Sequence, residues 1–137
     1  MIVIDCSALI TALTAHTPEG DKARTRIARA NEVYSPTLLD YEVMSALLGM
    51  RRGGKITEKE TEKAIDAYGL LPIIKRETLP FWSRVQKLHA NLSACDAQYV
   101  ALAEALGVPL VTADARIKKG MGNQARCTIE VIAADSH

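Results

Sequence analysis

The chain has 137 residues, 48% of them hydrophobic and 24% charged, with a net charge of +1, which is the makeup of an ordinary globular protein expected to form one domain over residues 1–137. Three cysteines, odd in number and without metal-type spacing, argue against a disulfide framework. No apolar run approaches the ~18–20 residues that span a bilayer, and "MIVIDCSALITAL" lacks the basic region of a signal peptide, so a cytoplasmic protein with no membrane attachment is expected.

Ile2 to Ile4 form a short apolar run that suits a buried strand, stopped by Asp5 and Ser7. "SALITALTAH" then predicts a helix with Ser7 near its N-cap. "TPEGDKARTRIARANE" predicts a basic, solvent-facing helix with Pro18 and Glu19 in its first turn. "VYS" is a second strand, ended by Pro36. In "TLLDYEVMSALLGMRR", Leu38, Leu39, Val43, Ala46, Leu47 and Met50 recur at helical spacing, and Gly53-Gly54 stops the helix. "TEKETEKAIDAYGLL" carries a capping box, Thr57 with Glu60. A strand at "PIIK", a helix over "TLPFWSRVQKLHANL" and a helix over "SACDAQYVALAEALG" follow, the last with Ser93 as N-cap and Gly107 as stop. "VPLVTAD" is the clearest buried strand. A short helix from Ala115 and a strand at "CTIEVI" complete the chain.

Strands alternating with helices predict an α/β fold, a mostly parallel sheet flanked by helices on both faces. Ligands of such sheets bind beyond the carboxyl ends of the strands. Asp5 sits at one such end and Asp114 just past another, so the two meet if their strands are neighbours. Glu42 follows Leu39 by three and precedes Ala46 by four, beside the apolar stripe of its helix. Asp96 precedes Val100 by four and Ala103 by seven, facing inward in the first turn, where the helix dipole favours an anion. Each acid has a plainer role open to it: Asp5 and Asp114 as helix caps, Asp96 in a capping box, Glu42 as an arginine's buried partner. Together, inward carboxylates repel one another unless a cation neutralises them, and all-oxygen sets suit Mg²⁺ or Mn²⁺.

The pieces "VIDCSAL", "LLDYEVMSALLGMRRGGKIT" and "SACDAQYVALAEALGVPLVTADARI", with their spacing, resemble the PIN-domain ribonucleases, specifically the VapC-type toxins of toxin–antitoxin modules. The resemblance covers nearly the whole chain. It implies a PIN-like α/β/α sandwich, a metal-dependent endoribonuclease, a homodimer, and a VapB-type antitoxin partner. The family's acidic quartet maps onto Asp5, Glu42, Asp96 and Asp114, and its hydroxyl positions onto Ser7 and Thr112. One departure is visible: Ser45 stands where many relatives have Asn three residues after the glutamate, a change that bears on hydrogen bonding around Glu42.

One or two hard cations can clamp a phosphate, activate a water and stabilise the leaving oxygen. Asp5 and Asp96 are expected to carry the main ion and Asp114 a second ion or bound waters, while Glu42 is expected to orient the attacking water or to hold the ligands around the ion. His16, His89 and His137 are scattered, which argues against histidine catalysis. An acidic pocket repels RNA, but setting the four acids aside leaves 17 Lys and Arg against 12 Asp and Glu. Arg116, Lys118 and Lys119, directly after Asp114, are candidate phosphate contacts, with Arg51, Arg52 and Lys55 a second group. Lys22, Arg24, Arg26 and Arg29 read as solvated helix positions. Aromatics are too few for an evident stacking platform, and Phe81-Trp82 is assigned to the core or a partner contact. Cys6 and Cys95 flank site acids and are read as small buried hydrophobes. Two rival functions remain: another Mg²⁺-dependent phosphoryl-transfer enzyme such as a phosphatase, against which "DCSAL" lacks a second aspartate, and a catalytically idle PIN domain that binds RNA or a protein.

Overall fold

The computed structural model describes residues 1–133, so His137 lies outside them. Five parallel strands form one sheet: β1 (Ile2–Ile4), β2 (Val33–Pro36), β3 (Ile73–Arg76), β4 (Leu110–Thr112) and β5 (Ile129–Val131). Their order across the sheet is β3-β2-β1-β4-β5. The helices α1 (Cys6–Thr14), α2 (Pro18–Arg29), α3 (Leu39–Arg52), α4 (Glu58–Leu70), α5 (Trp82–Leu88), α6 (Ala94–Leu106) and α7 (Ala115–Met121) connect the strands and flank the sheet. Every strand-to-strand link is therefore a crossover, as parallel pairing requires.

The first strand is central because its residues can only be inside. Ile2, Val3 and Ile4 are fully buried, and each side chain contributes on the order of 1.5–3 kcal/mol by leaving water. Val3 and Ile4 pair with Leu110 and Val111 of β4, while Ile2 and Val3 pair with Val33 and Tyr34 of β2. The chain thus proceeds outward to one side through β2 and β3, then returns across β1 to β4. This reversal is a topological switch point, where a crevice opens beyond the strand ends. Packed on β1, β2 and β4 is α6, whose Ala97, Ala101 and Ala103 are buried and let it lie close to the sheet. Gly107 ends it in the left-handed conformation, φ 67°, which glycine adopts without steric cost. At the α1–α2 corner a Cβ on Gly20 would stand 2.1 Å from the Ala15 carbonyl oxygen, so only glycine allows that approach.

Most expected elements are present, with two differences. The N-cap of α1 is Asp5, with Ser7 in the first turn. The helix expected over "TLPFWSRVQKLHANL" begins as a 3-10 turn at Leu79–Phe81, with Pro80 in the first turn where its missing N–H is tolerated, and α5 runs only to Leu88. That turn leaves Phe81 partly buried against the core but exposes 56% of Trp82, which is not a core residue. Cys95 is likewise exposed rather than buried, since it occupies the outer side of the first turn of α6. Among the described residues no helix is long and apolar enough to cross a membrane.

Candidate active site

The register that pairs Ile4 with Val111 brings the next residues, Asp5 and Thr112, side by side at the carboxyl end of the sheet. Asp5 is only 3% exposed, and both of its oxygens are held. Thr112 Oγ1 donates to Oδ2 at 2.5 Å. Ser7 Oγ and the Ala8 amide donate to Oδ1 at 2.8 and 3.0 Å. The two hydroxyls accept in turn from the loop after β4, Ser7 from the Ala113 amide at 2.9 Å and Thr112 from the Asp114 amide at 3.0 Å. Amide, hydroxyl and carboxylate form a latch joining the first strand to the fourth. Asp5 is therefore a helix cap and a buried carboxylate at once. Desolvation pushes its carboxyl up from the usual 3.8 to about 6, helped by the charge of Asp96 and opposed by the hydrogen bonds.

Glu42 lies in the first turn of α3, half-buried. Its partner is Tyr99, whose hydroxyl donates to Oε1 at 2.5 Å; the arginine partner considered from sequence is not there. Burial raises the Glu42 carboxyl above its usual range, as does Asp96, against the Tyr99 hydrogen bond. Tyr99 is 1% exposed, and burial and Glu42 push its phenol far above the usual tyrosine range, so it stays a donor. Tyr99 was missed from sequence. Its signal is the three-residue step from Asp96 on α6, which puts both on one side of that helix. Ser45, by contrast, is exposed on the outer side of α3.

Asp96 sits one turn into α6, where Ser93 caps the helix by accepting from the Asp96 amide at 3.1 Å. The reciprocal capping-box bond is absent, unlike at Thr57 and Glu60, where both halves form. Asp96 therefore keeps its carboxylate for the crevice, where it acts electrostatically on Asp5 and Glu42. Asp114 N-caps α7 and is ion-paired to Arg116. Its carboxyl is lowered, first by the Arg116 side chain. Lys118 and Lys119 follow on α7, exposed. Arg51, Arg52 and Lys55 are exposed at the other end of α3, roughly 14–15 Å along the helix from Glu42. They do not belong to the immediate crevice.

Among the described residues no three His, Cys, Asp or Glu side chains converge into a preformed metal cage. The donor chemistry nonetheless fits a hard cation. It is all oxygen, and a buried, raised Asp5 reports a site short of positive charge. Mg²⁺ commonly uses one or two carboxylates and keeps its waters, so a closed cage is not required. Cys6 is a poor nucleophile here, since burial, Glu42 and Asp5 push its thiol up to about 12. A 560 Å³ apolar hollow lined by Leu13, Ile27, Val33, Leu71 and Ile73 lies at the opposite, amino end of the strands and holds none of the acids.

The PIN domain model matches residues 2–120. The chain is 36% identical over 132 residues to ribonuclease VapC9 of Mycobacterium tuberculosis, covering 96% of this chain and 98% of that one. It is 34% identical over 133 residues to ribonuclease VapC12 of the same organism, covering 97% and 100%. The crystal structure of VapBC2 from Rickettsia felis, bound to a DNA fragment from their promoter, matches with a TM-score of 0.68 at 15% identity, covering 97% of this chain and 100% of that one. That last likeness is one of fold.

Proposed function

The chain belongs to the PIN-domain family, within the VapC ribonucleases, and from that premise we propose that it is a Mg²⁺- or Mn²⁺-dependent endoribonuclease, the toxin of a VapBC-type module, acting through Asp5, Glu42, Asp96 and Asp114. The observation that carries the reading is Asp5: a nearly fully buried carboxylate at the switch point of the sheet, with its oxygens oriented by Ser7 and Thr112 and its charge uncompensated by any ion pair among the described residues. Burying an unpaired carboxylate is expensive, and a helix cap alone does not call for it, since exposed Thr17 and Thr57 cap α2 and α4 equally well.

When bound, the ion supplies charge neutralisation at the phosphate and lowers the pKa of a water. Asp5 and Asp96 would hold it, with Asp114 beside them. Ser7 and Thr112 fix the rotamer of Asp5, so that the lone pairs left by their hydrogen bonds face the crevice. Glu42, held by Tyr99 on Oε1, has Oε2 for orienting and deprotonating the attacking water. Lys118 and Lys119 supply positive charge near RNA phosphates, and Arg116 joins them as argued below. The proposal includes one domain over residues 1–137, a cytoplasmic setting, a homodimer, and a VapB-type antitoxin that masks the crevice.

Total RNA incubated with the purified, partner-free protein and Mg²⁺ or Mn²⁺ tests the reading, with EDTA and Asp96→Asn as controls. Discrete fragments absent from both controls are expected. Intact RNA despite measurable Mn²⁺ binding would favour an idle domain, and cleavage that survives EDTA would overturn the metal-dependent mechanism.

A further inference from the structure

Asp114 is not free in this structure. Its Oδ1 accepts from Arg116 Nε at 2.9 Å and from the Arg116 amide at 3.0 Å, and its Oδ2 accepts from the second guanidinium nitrogen at 2.8 Å. The guanidinium thus grips the carboxylate with both prongs of its fork. Residues two apart inside a helix do not face each other. This pair meets because Asp114 is the cap, outside α7, while Arg116 is within its first turn. The clasp is local and travels with the β4–α7 corner.

Its two ends are unequally placed. The Arg116 side chain is 89% exposed and that of Asp114 23%. An ion pair so open to water is weak and exchanges easily. Arg116 also lies close enough to Asp96 to feel its charge. It therefore stands at the mouth of the acidic crevice, within the field of two of the acids. Among the described residues no other cation is ion-paired to Asp5, Glu42, Asp96 or Asp114. Arg26 and Arg84, by comparison, are committed to Glu130 and Glu104 as ties between distant elements. A planar fork that fits a carboxylate fits a phosphate equally well.

We propose that Arg116 is a displaceable internal counter-ion: it occupies Asp114 until a divalent cation takes that carboxylate, and then turns to a phosphate of the RNA backbone. The inference rests on the metal-dependent ribonuclease reading. It makes metal and arginine competitors for Asp114 and makes the loser of that competition a substrate contact. Metal loading and RNA affinity are thereby coupled through one side chain, and the metal-free protein keeps its crevice less negative than four open carboxylates would.

The test compares the wild type with Arg116→Ala and Arg116→Lys, using two probes. Mn²⁺ is titrated into the RNA-free protein by calorimetry, and a labelled single-stranded RNA of about 12 nucleotides is bound in Ca²⁺ at several salt concentrations. Arg116→Ala is expected to bind Mn²⁺ roughly two- to fivefold more tightly, the release of one exposed ion pair. It is also expected to bind RNA more weakly, with a salt slope smaller by about one ion. Arg116→Lys is expected to keep the salt slope, since the charge remains. Unchanged or weaker Mn²⁺ binding by Arg116→Ala overturns the competition, and an unchanged salt slope overturns the phosphate role. If neither wild type nor variant binds Mn²⁺, the metal reading of the site falls, and this inference with it.

Discussion

Replacing Asp5 by Asn should stabilise the metal-free protein while abolishing its activity. Asp5 titrates at about 6 when folded, against a usual 3.8. Between those values the folded chain holds a proton that the unfolded chain has released. Stability therefore falls as pH rises through that window and stays lower above it. Each pKa unit is worth about 1.4 kcal/mol, so the ionised form of Asp5 costs the fold about 3 kcal/mol at neutral pH. Asparagine cannot ionise. It makes weaker hydrogen bonds with Thr112 and Ser7, and one of its amide hydrogens must find an acceptor where Asp5 needed none, which offsets about 1 kcal/mol. The net gain of about 2 kcal/mol corresponds to a Tm higher by roughly 7 °C at pH 7.5 for a chain of this length. Thermal unfolding of both proteins in EDTA, from pH 4 to pH 8, isolates the effect, because other carboxylates cancel in the difference. The separation between the two curves should open between about pH 4 and pH 6 and hold nearly constant above pH 6. Parallel curves, or an Asn variant no more stable than the wild type at pH 7.5, would show that Asp5 carries no such burden.

Mn²⁺ at a hundred times its Kd should add about 2.7 kcal/mol to the wild type, read as a Tm rise of roughly 9 °C, and almost nothing to Asp5→Asn. Asp96→Asn should lose RNA cleavage while keeping the wild-type circular dichroism spectrum. In that variant the Asp5 carboxyl, followed by NMR in EDTA, should titrate lower than in the wild type, since Asp96 is one of the groups holding it up. Tyr99→Phe removes the donor to Glu42 without emptying its place in the core. It should lower kcat about tenfold, with KM nearly unchanged, and equal losses in kcat and KM would instead indicate a wider structural disturbance.

Much of this site is legible in the sequence because its acids break local patterns. Asp5 interrupts an apolar run, Asp114 ends another, and Asp96 and Glu42 sit among residues that must face inward. The expectation that Asp5 and Asp114 share one sheet end required that the first and fourth strands be neighbours, and β1 does pair with β4. What stayed hidden depends on features that periodicity does not carry. The buried residues of α6, Ala97, Tyr99, Val100, Ala101, Leu102 and Ala103, run right round the helix, so no single apolar stripe marks Tyr99 as special. The Arg116 clasp is a matter of rotamer and cap geometry, invisible to spacing rules for helix interiors. Of the two places offered for Phe81-Trp82, core or partner contact, the structure takes Trp82 out of the core, since it stands exposed just after the 3-10 turn at Leu79–Phe81.

The latch between Asp5 and Thr112 joins residues 107 positions apart. During synthesis at ~5–20 residues per second, roughly 5–20 s separate the two as they are added to the chain. Asp5 is made long before Thr112, which donates to it, and before the Ala113 amide, which holds Ser7 beside it. A chain broken off before β4 lacks both a pairing partner of β1 and the hydroxyl that donates to Asp5, and it cannot assemble the crevice. The crevice is in this way completed only once β4 and the loop after it have been made.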